Sequence, residues 1–358
     1  MDRRRRLVAK IGSQALCDEH GALAGSVIDA LAAEVAALRD DGWDVLLVSS
    51  GAVATGHGVS AEAMERLRDP VVARQVLAAA GQVRLMERWQ HAFRGHGLTT
   101  AQVLLSKADF QSRQHYLNTR GCLEGALTAG LVPVANENDV VSVTELMFTD
   151  NDELAGLLAS MMNADVLALL SSVPGVLPAE GDAPIATWDD RRHTIDAVLR
   201  SGTSRLGRGG MHSKLAVARK TAKLGTAVVI ADGRAEGILT RAVSERPPGT
   251  RFPAAGKATP ARRWLAGMDE HARGALVVND GARDALLDRR RLTSLLPVGV
   301  EQVEGEFRQG DVVQVRDLAG RMLGCGRSGY DAGEAREVAG QRDQKPLIHY
   351  DYLYLVDD

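Results

Sequence analysis

Cysteine is scarce in this sequence, and the positions of the three cysteines exclude two classes of protein. Cys17, Cys122 and Cys325 are far apart, and none belongs to a Cys-x-x-Cys pair, so the sequence predicts neither a disulfide framework nor a zinc site. The nine histidines include no His-Glu-x-x-His arrangement, and His91 and His96 are five residues apart, which does not place them on one helical face. We therefore expect a reducing compartment and no protein-ligated transition metal.

Long apolar runs are also absent. No stretch approaches the roughly 20 apolar residues that a membrane helix requires, and Lys10 and Gly12 interrupt the short apolar run after the basic segment 3–6, which argues against an export signal. Aromatic residues make up 4% of the chain, while small and aliphatic residues dominate, as in buried parallel strands flanked by small-residue helices. These features predict a soluble, cytoplasmic protein of the α/β class.

Short β-branched runs alternate with longer helical patterns over residues 7–232. This alternation indicates βαβ units and a mostly parallel sheet, with helices between the strands. The predicted strands cover residues 7–11, 44–49, 98–104, 132–136, 166–170 and 226–231. The length of 358 residues favours two domains over one.

A break in this pattern marks the predicted domain boundary. Residues 246–257 contain three prolines and two glycines, which disfavours both helix and strand. We predict a first domain over residues 1–250, a linker over 251–266 and a second domain over 267–358.

The second domain has a different texture, with short predicted strands at 275–278, 312–315 and 322–325 separated by glycines. This pattern is typical of a small β-rich barrel. Residues 262–358 carry 14 basic and 17 acidic side chains. Because binding to a nucleic-acid backbone requires net positive charge, this balance argues against RNA as a partner. RNA binding through this domain stays as an alternative hypothesis.

Polar residues follow the first two predicted strands, at the edge where open α/β sheets place ligands. Lys10 stands at the end of the first strand, Gly12 and Ser13 come directly after it, and Ser50 and Gly51 belong to a small-residue turn after the second. Exposed backbone amides in such a turn can bind an anion, while a serine cap with a tight turn is the structural alternative. A lone lysine after a strand is usually solvated, so the neighbouring motifs decide the interpretation.

Two acidic clusters follow the fourth predicted strand. Residues 136–139, with the sequence Asn-Glu-Asn-Asp, come directly after it and can hold the ammonium group of an amino acid. Asp150, Asn151 and Asp152 precede apolar residues at helical spacing. Acidic residues at a helix start are commonly caps, so a purely structural role for one aspartate is the alternative.

A glycine-rich turn at 207–210 leads into a helical pattern that contains Met211 and Lys214. Its amides can wrap phosphate oxygens, but its spacing differs from the Walker pattern, so P-loop chemistry is not predicted. A glutamate side chain, with a reference pKa of about 4.3, needs no general base to become a nucleophile. Lys10, Lys214 and Mg²⁺ could offset the repulsion between such an acceptor and a triphosphate. The combined pattern predicts phosphoryl transfer to a carboxylate.

The order of these motifs resembles the amino acid kinase family over nearly the whole chain. The matching segments are V-A-K-I-G-S at 8–13, V-S-S-G-A-V at 48–53, N-E-N-D at 136–139, D-N-D at 150–152 and G-G-M-H-S-K at 209–214. The tail resembles a PUA domain through N-D-G-A at 279–282, S-L-L-P-V-G-V at 294–300 and G-E-F-R-Q-G-D at 305–311. The resemblance implies a three-layer αβα kinase fold with a mostly parallel sheet, followed by a small β-barrel-like PUA domain.

The resemblance also implies an activity and the residues that perform it. The activity would be phosphorylation of the L-glutamate side-chain carboxylate by ATP with Mg²⁺, giving γ-glutamyl phosphate in the first step of proline biosynthesis. Proline would be a feedback inhibitor, and the assembly a dimer or tetramer. The implied catalytic residues are Lys10, Lys214 and Asp152. Of these, Asp152 would orient the two lysines. The implied glutamate-binding residues are Ser50, Gly51, Asp139, Asp150 and Asn151. The implied nucleotide-binding residues are Lys10, Gly12, Ser171, Ser172, Gly209, Gly210, Met211 and Lys214.

The chain departs from the family pattern after the fifth predicted strand. The family places an aspartate where Ser172 stands, and residues 177–184 lack a further Asp-Pro pair, which concerns nucleotide affinity or base preference. A divergent paralogue acting on another acidic substrate, or a non-catalytic amino acid sensor, is therefore the alternative. Lys10, Asp152 and Lys214 remain, and their presence favours an active enzyme.

Overall fold

Strand β1 (Arg5–Ile11) lies at the centre of a seven-stranded sheet, and its last five residues are buried. Burial on both faces is typical of a parallel sheet covered by helices. The computed structural model divides the chain into two units, Met1–Lys257 and Ala258–Asp358, and this sheet belongs to the first. The structure describes residues 3–16, 23–56, 66–111, 113–141, 148, 150–178, 181, 183–194, 210–256, 258–265, 272–288 and 293–355.

The larger sheet has the strand order β3-β4-β2-β1-β5-β6-β7. Strands β1 to β6 pair in parallel, and β7 pairs antiparallel with β6. The strands other than β1 are β2 (Trp43–Ser49), β3 (Thr100–Leu105), β4 (Val132–Glu137), β5 (Val166–Ser171), β6 (Ala227–Asp232) and β7 (Thr250–Phe252). The mostly parallel sheet is confirmed, and the six predicted strands are all present.

Strand β7 shows that one prediction was wrong, since residues 246–257 were expected to contain neither helix nor strand. Residues 250–252 pair with residues 228–230 of β6 at the sheet edge. Pro248 and Pro253 flank this short strand rather than interrupt it, so no proline removes a hydrogen bond from the ladder. A strand at an edge also needs a partner on one side only.

Helices cover both faces of the larger sheet. They are α1 (Ser13–Leu16), α2 (Gly25–Asp40), α3 (Ala52–Gly56), α4 (Pro70–Arg94), α5 (Lys107–Gln111), α6 (Arg113–Thr128), α7 (Asn151–Met161), α8 (Met211–Lys223) and α9 (Ile238–Ala242). Leu7, Ala9 and Ile11 share a core with residues of α2, α4 and α9. Because side chains alternate along a strand, Lys10 points to the opposite face, where α7 packs on β1. The result is a three-layer αβα arrangement.

The C-terminal unit contains a second, smaller sheet with the order β12-β11-β10-β8-β9. Its elements are α10 (Pro260–Leu265), β8 (Gly274–Val278), α11 (Asp280–Leu287), β9 (Val300–Gly305), β10 (Val312–Asp317), β11 (Met322–Arg327), α12 (Ala332–Val338) and β12 (Leu353–Leu355). A separate apolar core that includes Leu276, Val313 and Leu347 holds it together. The predicted small β-rich region is confirmed. Among the described residues of the whole chain, no helix is long and apolar enough to span a bilayer.

Candidate active site

The carboxyl ends of three neighbouring strands bring the predicted site residues to one edge of the larger sheet. Lys10 of β1 is in register with Val48 of β2 and Leu169 of β5, so the turns after these strands begin at similar levels. Ser50 lies directly after β2, and its backbone N–H donates to the carbonyl of Ile11 at 3.1 Å. Open α/β sheets bind ligands at this edge.

Asp152 joins the two predicted catalytic lysines through one carboxylate. Its Oδ1 lies 2.9 Å from Nζ of Lys10, and its Oδ2 lies 2.8 Å from Nζ of Lys214. Asp152 has no exposed surface, and both lysines are buried as well. Strand β1 and helices α7 and α8 each supply one member. Three distant segments of the chain therefore meet at a buried carboxylate.

Asp150 and Asp152 are two residues apart but have opposite electrostatic environments. Burial disfavours the charged form of Asp152, but Lys10 and Lys214 outweigh burial and hold the pKa of this carboxyl below its ordinary value. Burial, together with the negative charge of Asp152, raises the pKa of Asp150 above its ordinary value. Oδ1 of Asp150 accepts from the backbone N–H groups of Asp152 and Glu153 at 2.9 and 3.0 Å. Asp150 is thus the N-cap of α7.

Helix α8 begins at Met211, directly after the glycine-rich sequence 207–210. Gly210 is the N-cap of this helix and Met211 its first residue, whereas Gly209 lies outside the described residues. The backbone N–H of Lys214 donates to the carbonyl of Gly210 at 3.3 Å. The first turn of α8 thus carries Lys214 next to the N–H groups of a helix N-terminus, where anions bind favourably.

Hydrogen-bonded polar side chains surround Asn151, the neighbour of Asp152. Nδ2 of Asn151 donates to Oγ of Ser50 at 2.8 Å and to Oδ1 of Asn136 at 3.1 Å. Nδ2 of Asn136 in turn donates to Oε1 of Gln82 at 2.9 Å. Oδ1 of Asn151 is buried and has no hydrogen-bond partner among the described residues. The structure therefore brings Ser50 and Asn151 together and leaves one amide oxygen as an acceptor.

The turn between β2 and α3 requires glycine. Gly51 has a φ of 109°, a backbone conformation that residues with a side chain rarely adopt. Its carbonyl accepts from the N–H of Thr55 at 2.9 Å as α3 begins. The preceding Ser49 is fully buried, and its hydroxyl accepts from the indole N–H of Trp89 at 2.9 Å. Contacts on both sides thus fix the predicted small-residue turn.

Comparison of the sequence with family profiles shows which family this chain belongs to. A profile described as Amino acid kinase family matches residues 5–232. The chain belongs to the amino acid kinase family. A second profile, described as PUA domain, matches residues 274–350. Both predicted resemblances are therefore confirmed.

Curated relatives named Glutamate 5-kinase match this family member over nearly its whole length. One from Chlorobaculum tepidum is 44% identical over 354 residues, covering 98% of this chain and 98% of that protein. One from Bacteroides thetaiotaomicron is 38% identical over 356 residues, again covering 98% of each. One from Myxococcus xanthus is 40% identical over 362 residues, covering 98% of this chain and 93% of that protein.

Two solved structures share the kinase-family fold at low sequence identity. A crystal structure from Aeropyrum pernix K1 has a TM-score of 0.50 and 19% identity, covering 70% of this chain and 99% of that chain. N-acetylglutamate synthase from Neisseria gonorrhoeae, complexed with coenzyme A and N-acetyl-glutamate, has a TM-score of 0.50 and 18% identity, covering 71% and 60%. At these identities the similarity supports the fold alone.

Ser172, where the sequence is expected to depart from the family pattern, makes two hydrogen bonds. Oγ of Ser172 donates to Oε1 of Gln14 at 2.8 Å, and its carbonyl accepts from Arg234 at 3.2 Å. Ser171 ends β5, and its carbonyl accepts from the N–H of Gly233 at 2.8 Å. These neutral serines therefore connect the end of β5 to the segments after β1 and β6.

Asp139 lies on the side of the site formed by α4. Its carboxylate is 3.3 Å from the guanidinium of Arg74. The side chain of Gln75 donates to the carbonyl of Val140 at 2.8 Å, so two contacts attach the segment after β4 to α4. The role of Asp139 in glutamate binding, expected for this family, stays a prediction.

The sequence interpretation missed two residues near the site. Gln82 is buried on the apolar face of α4, between the buried residues Ala78 and Leu85. A polar residue on the apolar face of a helical pattern was the sequence signal that could have identified it. Lys107 is buried at the start of α5, two residues after β3, and its Nζ lies 3.2 Å from Oε1 of Glu153. Its position after β3 parallels that of Lys10 near the end of β1.

Proposed function

We propose that this chain transfers the γ-phosphate of ATP to the side-chain carboxylate of L-glutamate, giving γ-glutamyl phosphate. The observation that carries the proposal is the buried Asp152 carboxylate, which holds the ammonium groups of Lys10 and Lys214 at 2.9 and 2.8 Å. The relatives named Glutamate 5-kinase, at 38–44% identity over nearly the whole chain, support the choice of acceptor. The product would enter proline biosynthesis.

The two lysines would supply the charge that this reaction requires. The acceptor carboxylate and the triphosphate are both anionic, and they repel each other as they approach. Fixed positive groups aimed at the transferring phosphoryl lower this barrier, and they act most strongly where water is excluded. Lys10 and Lys214 are both buried, so they meet this condition. A glutamate carboxylate is ionised near neutral pH and needs no general base.

Asp152 would position the lysines rather than remove a proton. Its lowered pKa keeps it ionised, and each of its oxygens already contacts an ammonium group. One rigid carboxylate therefore fixes both Nζ atoms at the same time, so that they are arranged before the substrates bind.

The residues around the lysines would bind the nucleotide. At Gly12 an added Cβ would lie 3.5 Å from Nζ of Lys10, so glycine keeps the space beside this ammonium group free. Gly210 and Met211 would face the phosphates from the N-terminus of α8, and Ser171 and Ser172 would lie on the nucleotide side with Gly12. Gly209 would join them by family resemblance.

Mg²⁺ would be held mainly by the phosphate oxygens of the nucleotide. Among the described residues no group of three or more His, Cys, Asp or Glu side chains is arranged to hold a metal ion, and Mg²⁺ in kinases is commonly bound through substrate phosphates. When bound, it would neutralise charge on those phosphates.

Glutamate would bind on the side of Ser50, Gly51 and Asn151. The buried Oδ1 of Asn151, which has no partner in the described structure, can accept from an ammonium group. Asp139 and Asp150 would contribute negative charge for the same group. Inhibition by proline and assembly into dimers or tetramers remain predictions from the family resemblance.

A coupled assay of ADP release tests this proposal. The chain is supplied with Mg-ATP and, in turn, L-glutamate, L-aspartate, N-acetyl-L-glutamate and D-glutamate. We expect turnover with L-glutamate, and a loss of about 10²–10³ in kcat for Lys214→Ala. Lys223→Ala, in the last turn of the same helix, is the matched control and should retain activity.

Two outcomes would overturn the proposal. Turnover with another acid but not with L-glutamate would transfer the activity to that acceptor. Binding of an amino acid without any phosphoryl transfer would instead indicate a sensor.

A further inference from the structure

The side-chain amides of Asn151, Asn136 and Gln82 form a hydrogen-bonded series, called here the amide chain. One backbone group determines which end of each amide donates and which accepts. The N–H of Glu137 lies 2.9 Å from Oδ1 of Asn136, and a backbone N–H can only donate. This end of the Asn136 amide must therefore be its oxygen. The opposite end is the Nδ2 group, which donates to Oε1 of Gln82 at 2.9 Å.

The same direction continues to the substrate side. The Asn151 group that meets Oδ1 of Asn136 must be a donor, so it is Nδ2. Its second hydrogen is donated to Oγ of Ser50, which uses the full donor capacity of this amide. Only Oδ1 remains, buried and without a partner within the described ranges. Asn151 consequently presents an acceptor to its ligand.

Gln82 is the far end of this chain and lies outside every motif of the family resemblance. It is 7% exposed, and its Oε1 is the acceptor for Nδ2 of Asn136. Its own Nε2 has no hydrogen-bond partner among the described residues. The hydrogen bond between Gln82 and Asn136 therefore involves the side-chain oxygen of Gln82. Without that oxygen, a buried donor of Asn136 would lose its acceptor, which is costly.

We propose that Gln82 is a positioning residue for the amino acid acceptor: by accepting from Nδ2 of Asn136, it secures, together with the N–H of Glu137, the amide orientation in which Asn151 presents oxygen to the substrate ammonium group. This inference rests on the proposed function, because it concerns how the same site recognises its acceptor. Gln82 acts through Asn136 and Asn151. The phosphoryl-transferring lysines do not belong to the amide chain.

The location of Gln82 on a rigid element makes this role effective. Helix α4 packs tightly on α3, since an added Cβ at Gly81 would lie 1.8 Å from the carbonyl oxygen of Ala52. The same helix holds Ser49 through Trp89 at 2.9 Å. Helix α4 therefore contacts the ends of both β2 and β4, and Gln82 is its contact to Asn136 at the end of β4.

Steady-state kinetics of Gln82→Met provides the test. Methionine keeps the length of the side chain and removes the acceptor. We expect the KM for L-glutamate to rise roughly tenfold, the size expected for a lost hydrogen bond. The KM for ATP and kcat should change less than about threefold, because the lysine–Asp152 group is intact.

Two further variants separate positioning from a general structural effect. Gln90→Met removes another glutamine of α4, whose Oε1 accepts from Thr100, and it should leave the KM for L-glutamate unchanged. Gln82→Glu keeps an oxygen that can accept from Asn136, and burial favours its neutral form. It should restore the KM to within about threefold of wild type.

A double variant tests whether Gln82 acts through Asn151. If it does, Gln82→Met should raise the KM little further in an Asn151→Ala background, since coupled residues are not additive. Full additivity, an unchanged KM in Gln82→Met, or no rescue by Gln82→Glu would overturn the inference. If the wild-type chain uses another acidic amino acid, the KM for that acceptor is compared instead. Failure of L-glutamate as substrate and failure of the Gln82 role thus give different results.

Discussion

Two three-residue ion clusters, one in each unit of this chain, differ in their burial. In the kinase unit, Asp152 lies fully buried between Lys10 and Lys214. In the C-terminal unit, Arg283 pairs with Asp280 and Asp284 on the exposed face of α11, where both aspartate side chains are about 70% exposed. In each cluster one charged group lies between two groups of opposite charge, but only the cluster around Asp152 is removed from water.

This difference supports the proposed role of the cluster around Asp152. Removing ions from water costs several kcal/mol for each ion, and their attraction offsets that cost only with excellent geometry. Exposed ion pairs cost little to form and contribute little. Stability alone therefore does not explain the buried cluster, whereas the proposed preparation of two cations for phosphoryl transfer would explain it. The exposed pairs of the C-terminal unit require no such explanation.

The largest expected effect comes from removing the buried charge. Asp152→Asn leaves the two lysines without a compensating carboxylate, so we expect a loss of about 10²–10³ in kcat and of about 3–5 kcal/mol in the free energy of unfolding. Initial rates and urea unfolding measure the two quantities. A variant that keeps wild-type activity would show that the buried cluster is structural, and would remove the contrast between the units.

A pair of glycine substitutions sharpens the comparison at intermediate size. An added Cβ would lie 1.8 Å from the Ala52 carbonyl oxygen at Gly81, and 2.1 Å from that of Tyr354 at Gly324. Each alanine variant should lose about 1–3 kcal/mol of stability through overpacking. Gly81→Ala should also raise the KM for the acceptor, because it displaces α3 and the turn that contains Ser50, whereas Gly324→Ala should not.

The control for both substitutions is Gly121→Ala in α6, where an added Cβ meets nothing within 4 Å. It should not destabilise the protein, since alanine favours a helix over glycine. A change in KM in Gly324→Ala as large as that in Gly81→Ala would contradict the separation of function between the units.

A smaller effect concerns the pH dependence of stability. The pKa of Asp150 is raised in the folded state, so its contribution to stability is present below its unfolded pKa and is lost as the pH rises through its folded pKa. Asp150→Asn keeps an oxygen for the N-cap and removes the titration. The free energy of unfolding of Asp150→Asn minus that of wild type should therefore be larger at pH 7 than at pH 3.

Asp152 should show the opposite dependence, because its pKa is lowered. Its contribution is present above its unfolded pKa and is lost as the pH falls through its folded pKa. Thermal unfolding of wild type, Asp150→Asn and Asp152→Asn between pH 3 and pH 8 would measure both. Parallel curves for the two variants would contradict the assigned environments.

The smallest effect is expected at the surface of the C-terminal unit. Asp284→Ala removes one partner of Arg283 in an exposed pair, so the free energy of unfolding should change little. Because exposed charges are screened, any loss should shrink in high salt. A loss as large as that of Asp152→Asn would make the contrast between buried and exposed charge invalid.

Much of the fold follows from local sequence pattern. The six parallel strands are short apolar runs with polar residues at their carboxyl ends, so the pattern locates both the strands and the edge where Lys10 and Ser50 lie. Strand β7 could not be found in this way, because its pairing depends on the free edge of β6 rather than on its proline-flanked sequence. Its existence is a property of the assembled sheet.

The candidate site shows the same division. Lys10, Asp152 and Lys214 stand at strand and helix ends that a pattern can locate, although the pattern does not show that one carboxylate contacts both lysines. The link from Gln82 to Asn136 spans 54 residues, and no local periodicity predicts which distant strand a polar residue in a helix will meet. Position along an element was predictable, whereas contact across the site was not.

A crystal structure of this chain with L-glutamate and a non-hydrolysable ATP analogue tests the central claim most directly. We predict that Nζ of Lys10 and Nζ of Lys214 both lie within about 4 Å of the polyphosphate or the acceptor carboxylate, the range of an ion pair, while Asp152 keeps its contact with each lysine. Lysine side chains that point away from both ligands would contradict the account.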